Sequence, residues 1–199
     1  TVGTVGTVGA VGSRPVAPPV VRQPTRPPRQ AGAVLALVGD TVVAYETAQQ
    51  LARIMRIDPA TILVASPEPL VKVPAGRRIV DPAGARAKGG TLAAKPSPSI
   101  VVVDLPMGAD PQWTVEVVDA LGARAVWAMV DATRKVADLH RWTLGLPRID
   151  ALAVHNAAAS ADPGSVCALG YPVALLDGRA ATEACWRSYG AEPPVGVCR

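Results

Sequence analysis

Residues 33–57 read AVLALVGDTVVAYETAQQLARIMRI, and this stretch decides the fold. AVLALV (33–38) is an unbroken apolar run closed by Gly39 and Asp40, the pattern of a strand buried on both faces. The residues after it carry a helix, with Leu51, Ile54 and Met55 on one side at i, i+3, i+4 spacing. Pro59 closes the helical region and TILVA (61–65) reads as a second strand. The same alternation continues downstream. IVVVD (100–104) is a strand, LPMGADPQ a loop and VEVVDALG a helix. AVWAMV (125–130) precedes the amphipathic stretch TRKVADLHRWTLG, and ALAVH (151–155) precedes a short helix opened by Asp162-Pro163. PVALL (172–176) and a closing helix over TEACWRSY (182–189) complete it. Alternating units with continuously apolar strands predict an α/β three-layer sandwich with a mainly parallel sheet.

The 49% hydrophobic content is ample for a core, yet Phe is absent and aromatics are only 4%. Such a core packs through many small contacts. The formal charge of +4 comes entirely from Arg14, Arg22, Arg26 and Arg29, since residues 1–30 hold no acid. Residues 31–199 therefore carry 16 basic and 16 acidic side chains. A neutral domain argues against nucleic-acid binding by the folded part, because duplex binding needs clustered phosphate contacts. Cys167, Cys185 and Cys198 lack C-x-x-C spacing and lie apart from any histidine pair, which points to a reduced, cytoplasmic setting without structural zinc. No run of 18 apolar residues suggests a membrane span. The chain opens on Thr1 rather than Met, as expected of a piece of a longer protein.

Three regions follow. Residues 1–30 join TVGTVGTVGAVG to a stretch with six prolines and predict a disordered, Pro/Gly-rich basic tail. Residues 31–190 form the α/β domain, and residues 191–199 a C-terminal tail. Inside the domain, residues 66–99 hold six prolines and four glycines and read as an irregular basic loop, with room for a short hairpin around Leu70–Val73 and Arg78–Val80. Six cations against Glu68 and Asp81 make this loop, through Arg77, Arg78 and Arg86, a candidate contact for an acidic partner surface.

Phosphate-binding chemistry is thin. A P-loop needs G-x-x-x-x-G-K-S/T after the first strand, so that backbone N–H groups cradle phosphate and the Lys and hydroxyl reach phosphate and magnesium. Here the strand runs into Gly39-DTVVAYET: Gly39 and a later Thr47 are present, whereas the second Gly and the Lys are missing. Tyr45 and Glu46 fall near the place of the Lys and its hydroxyl partner, and Glu46 would repel phosphate. Asp104 ends a strand where a magnesium-binding acid would stand, and Gly108 follows in the next loop. Ser-His-Asp and Cys-His sets are not visible.

IVVVDLPMGADP, AVWAMVDATRKVADLHRW and RIDALAVHNAAASADPGSVCALGYPVALLDG together resemble the G domain of signal-recognition-particle (SRP) GTPases, including the receptor and the flagellar member, within the SIMIBI class of P-loop NTPases. Ile149-Asp150-Ala151-Leu152 is similar to the family's V-D-A-L, Asp131-Ala132-Thr133 to its A-T segment, Gly170-Tyr171-Pro172-Val173 to G-L-P-V, and Asp177-Gly178 to its closing loop. The likeness runs in order over about 33–190. It departs at the ligand shell. The base-reading T-K-L-D is His155-Asn156-Ala157-Ala158, D-T-A-G-R is Asp104-Leu105-Pro106-Met107-Gly108, and residues 66–99 stand in place of the family's βαβ insertion.

The resemblance therefore implies a P-loop NTPase-like fold with a vestigial nucleotide shell at Gly39, Thr47, Asp104, Gly108 and Asn156. It implies a non-catalytic pseudo-GTPase without cofactor or metal, working as a protein-interaction or regulatory module, with pairing to a second copy or a related GTPase as one mode. The alternative is a divergent SRP- or flagellar-type GTPase, or a ParA/MinD-like ATPase as DLPMGADP suggests, that still binds GTP or ATP with magnesium.

Residues 1–30 lack the side chains to offset an ordering cost of roughly 1–2 kcal/mol per residue. Deleting them is expected to leave cooperative thermal unfolding intact, and loss of a single sharp transition would contradict it.

Overall fold

The computed structural model describes residues 26–68, 73–146 and 148–191. The expectations for residues 1–25, for the hairpin through 69–72 and for 192–199 lie outside the described residues. Residues 26–29 have no regular structure, and Ala191 packs against the core.

Among the described residues, eight strands form one sheet: β1 (Val34–Gly39), β2 (Leu63–Ala65), β3 (Arg78–Ile79), β4 (Ser99–Asp104), β5 (Ala125–Asp131), β6 (Ala151–His155), β7 (Val173–Leu176) and β8 (Arg179–Ala180). Their order is β3-β2-β4-β1-β5-β6-β7-β8, and every neighbour pair is parallel except β7 and β8. The strands bury both faces because their side chains alternate between two apolar layers. Val34, Ala36 and Val38 share one layer with Val101, Val103, Ala128 and Leu152. Leu35 and Leu37 share the other with Ile100, Val102 and Trp127.

The first layer is covered by α2 (Pro82–Ala93), α3 (Gln112–Leu121), α4 (Val136–Thr143) and α5 (Glu183–Ser188), which contribute Leu92, Val117, Leu139 and Trp186. The second packs against α1 (Thr41–Met55) through Ala44, Ala48, Leu51 and Ala52. This is the expected three-layer sandwich. None of the described helices is long and apolar enough to cross a membrane.

Three details differ from the expectation. The buried stripe of α1 is made of alanines, Thr47 and Leu51, while Ile54 is 54% exposed. Ile54 falls outside that stripe and faces solvent. The helix also stops at Met55, on Arg56 in the left-handed region (φ 59°), before Pro59, which opens a 3₁₀ turn capped by Asp58. The described part of residues 66–99 is not an irregular loop. Arg78–Ile79 adds a parallel strand beside β2, and twelve residues from Pro82 form α2.

Asp81 caps α2 through its carboxylate, which accepts from the Gly84 N–H, and Pro82 takes the first helical turn, where its missing N–H costs nothing. Gly and Pro hid this helix in the sequence, but Gly89 has a packing reason. A Cβ there would lie 2.8 Å from the Leu121 carbonyl oxygen, so α2 and α3 meet backbone to side-chain-free backbone.

The neighbouring glycine supplies a control, because a Cβ at Gly90 meets nothing within 4 Å. Gly89→Ala is expected to destabilise by about 1–3 kcal/mol through overpacking, and Gly90→Ala to stabilise by about 0.5–1 kcal/mol through helix propensity. Urea unfolding of both variants checks this, and equal effects would break the close-approach account.

Candidate functional site

The carboxyl ends of β1, β4, β5 and β6 meet where the strand order reverses, since the chain leaves β1 toward β2 and leaves β4 toward β5. Crevices at such switch points are the usual ligand sites of open α/β sheets. The site is built outward from the β1–α1 joint, which is one residue long. Gly39 ends the strand, Asp40 turns the chain and Thr41 begins the helix.

Each of these residues has a local task. A Cβ on Gly39 would lie 2.6 Å from the Met129 Cβ, so the glycine permits close approach of β1 to β5. Asp40 is the helix cap: its Oδ1 accepts from the Val42 N–H (3.0 Å) and the Val43 N–H (3.3 Å). Thr41 Oγ1 donates to Asp104 Oδ1 at 2.6 Å, and Ser66 Oγ donates to Asp104 Oδ2 at 3.2 Å. Both carboxylate oxygens of Asp104 are thereby engaged, and its backbone carbonyl accepts from Thr114 Oγ1.

A second corner joins β5 to β6. Asp131 Oδ1 accepts from the Thr133 N–H (2.9 Å) and hydroxyl (2.6 Å), and Oδ2 accepts from Asn156 Nδ2 (3.1 Å). Burial, the largest single influence, acts to raise the Asp131 pKa. The Thr133 and Asn156 donors and the nearby His155 outweigh it together and hold the carboxyl below its ordinary value. Asn156 sits at φ 59°, a region asparagine tolerates. Beyond it, the Ala157 and Ala158 N–H groups both donate to the Asp177 carboxylate at 3.1 Å.

Between these corners lie two clefts of about 520 and 390 Å³. The larger is lined by Gly39, Asp40, Val42, Met129, Asp131, Arg134, His155 and Asn156, with Leu105, Met107 and Trp142. The smaller adds Gly108, Pro111, Asp138 and Arg141. Of the residues expected from sequence, Gly39 and Asn156 line the larger cleft and Gly108 (φ 85°) the smaller. Asp104 ends β4 beside them, tied to Thr41 and Ser66. Thr47 is buried on α1 and lines neither cleft.

Among the basic candidates, Arg77 Nη1 donates to the Tyr45 hydroxyl and Arg78 Nε to the Val73 carbonyl, both half-buried. Arg86 stands exposed on α2. Sequence reasoning missed Asp40, Thr41, Ser66 and Arg134. An N-cap signal at Asp40 was available, but the reach of Thr41 and Ser66 to Asp104 depends on the register of β1, β2 and β4. Among the described residues no group of three or more His, Cys, Asp or Glu side chains could hold a metal ion.

No protein-family model and no curated protein matches the chain. Solved structures do. FlhF complexed with GTP and Mg²⁺ is similar at 12% identity and a TM-score of 0.56, over 79% of this chain and 68% of that one. The signal recognition particle receptor FtsY from Elizabethkingia anophelis is similar at 10% identity and a TM-score of 0.53, over 73% of this chain and 57% of its own. The 54 kDa signal recognition particle protein from Aeropyrum pernix K1, in complex with GDP, is similar at 14% identity and a TM-score of 0.51, over 75% of this chain and 42% of its own. This chain thus spans well under two thirds of the latter two. At these identities the likeness bears on fold alone, and the fold is the mostly parallel α/β P-loop NTPase-like fold of SRP-type GTPases.

Proposed function

We propose that this chain is a pseudo-GTPase, a protein-interaction or regulatory module that uses the SRP-type fold without holding a nucleotide. The observation that carries this reading is the one-residue joint between β1 and α1. A phosphate-binding loop needs several residues of non-helical backbone whose N–H groups point inward. Here those residues form the first turn of α1, and the Asp40 carboxylate already accepts from the Val42 and Val43 N–H groups. A phosphate brought to this helix end would meet a fixed negative charge instead of free donors.

The remaining parts of a nucleotide shell support the same reading. Magnesium–nucleotide sites of this class use a hydroxyl and a carboxylate left open to the ion, whereas Thr41 and Ser66 bond both oxygens of Asp104. Alanine at 158, where the family's base-reading acid would fall, cannot accept hydrogen bonds from a guanine. The residues present therefore do not suit magnesium–GTP. The competing reading, a divergent GTPase or ATPase, draws on the roomy cleft at the switch point and on likeness to a GTP-bound fold. A cytoplasmic setting and an acidic partner surface, met by Arg86 and the basic tail, belong to the same proposal.

Charge-assisted contacts to phosphate supply most of the affinity at such sites. GTP and ATP with magnesium are therefore expected to bind no tighter than millimolar, about −4 kcal/mol. Isothermal calorimetry checks this, and micromolar magnesium-dependent binding would favour the competing reading.

A further inference from the structure

The two clefts share Leu105, Met107, Arg134 and Trp142, so they form one trough across the carboxyl end of the sheet. Asp40 and Asp131 line only the larger cleft, and Asp138 and Arg141 only the smaller. The shared apolar residues therefore lie between carboxylates. Val42 is 68% exposed and Met107 40%, so this wall also offers apolar area to a covering segment.

A carboxylate that accepts hydrogen bonds keeps its charge. Asp40 takes two backbone amides on Oδ1 alone, and Asp131 takes Thr133 and Asn156. In the larger cleft these two carboxylates face Arg134, with the half-buried His155 beside Asp131. In the smaller cleft Asp138 pairs with Arg141 at 3.7 Å. Next to the lining residues, Glu46 and Asp110 are exposed, against Lys135. Acids thus outnumber cations around the trough, and the larger cleft carries the excess.

The same chain carries a segment of the opposite character. Residues 1–25, which precede the described chain, contain no acid. Within them Arg14-Pro-Val-Ala-Pro-Pro-Val-Val-Arg22 sets two arginines at the ends of a proline–valine run. In the extended geometry that proline favours, at about 3.1 Å per residue, these arginines stand roughly 25 Å apart. Gln30 bonds Ala33 at the amino end of β1, and the six residues of that strand span roughly 20 Å. From Gln30 back to Arg14 the chain can extend roughly 50 Å, enough to reach the carboxyl end of the sheet along the outside of the domain.

We propose that residues 14–22 close over this trough of their own chain as a strap. The proline–valine run covers Met107 and Val42, and an arginine at one end meets Asp40 and Asp131 in the larger cleft. The connection to the domain holds the strap near the trough at an effective concentration in the millimolar range, so a weak contact suffices. Closed, the strap withholds its arginines from an acidic partner surface, which makes the contact autoinhibitory. The exposed Arg134 opposes closure, so closing and opening stay in balance. The inference deepens the binding-module reading and rests on it.

The test uses the full chain labelled with ¹⁵N. The Val42, Met107 and Asp131 amide resonances are expected to move when Arg14→Ser and Arg22→Ser are combined. Millimolar acetyl-Arg-Pro-Val-Ala-Pro-Pro-Val-Val-Arg-amide should return them, and the same peptide with Glu for both arginines should not. In that double variant, Asp40→Asn, which keeps the helix cap, should weaken the peptide about 3-fold or more, Arg134→Gln should tighten it, and salt should weaken it. Resonances that stay in place in the double variant, equal action of the Glu peptide, or unchanged binding in Asp40→Asn would overturn the strap. So would shifts in the parent that grow with protein concentration, because they would report contact between chains. Magnesium–GTP is titrated separately into the same double variant. Micromolar shifts at the Val42 and Val43 amides would overturn the nucleotide-free reading itself, so the two failures are distinguishable.

Discussion

A chain leaving the central strand of this sheet has a single residue in which to turn, and the rest of the site follows from that constraint. Gly39 must be glycine because Met129 on β5 approaches too closely for a Cβ. Asp40 must then both turn the chain and cap the helix, since the first amides of α1 have no intrahelical acceptors. Thr41, now fixed on the first turn, comes within 2.6 Å of Asp104 on the neighbouring strand. The β1–β4 register, with Gly39 opposite Asp104, makes that contact unavoidable. Three consecutive residues thus tie one helix and two strands together at the place where a phosphate-binding loop would need several residues of non-helical backbone.

This arrangement satisfies the polar groups of the joint from within the chain. A helix N-terminus that binds an anion leaves its N–H groups unpaired until the anion arrives. A capping aspartate satisfies them permanently, at a typical gain of about 1 kcal/mol over alanine. The same substitution of internal for external partners recurs at the opposite corner. There Asp177 accepts from the Ala157 and Ala158 N–H groups, and Asp131 is held below its ordinary pKa by donors of its own loop. Carboxylates here serve as built-in acceptors for backbone amides and for neighbouring side-chain donors.

How much of this could be read in the sequence depends on whether the signal was local. The central strands were legible because burial on both faces leaves only apolar residues, as in AVLALV, IVVVD and AVWAMV. Helix α2 was not, because its contact with α3 works through the absence of a side chain at Gly89, and absence carries no periodicity. Strands β3 and β8, of two residues each, are set by their neighbours. In the site, Asp104 and Asn156 were visible as polar residues ending apolar runs. Their partners were not, since Ser66 lies 38 residues from Asp104 and meets it only through strand order. Thr47 followed from counting along a P-loop pattern, and the early start of α1 turned that position into the core. Arg77 and Arg78 read as free charge, but a tyrosine hydroxyl and a backbone carbonyl hold them in place.

The trough persists because topology, rather than side-chain choice, creates it. The connections that follow β1 and β4 run to opposite faces of the sheet, α1 on one and α3 on the other, so the carboxyl ends of the strands are left uncovered between them. What the loops decide is its chemistry. In this chain they supply Leu105, Pro106 and Met107 after β4 and Arg134 after β5, and helix α4 adds Trp142 with an unsatisfied N–H. Asp40 and Asp131 are held by donors of their own loops, Asp138 pairs with Arg141, and Arg134 stands exposed, so the clefts are walled by charges of both signs.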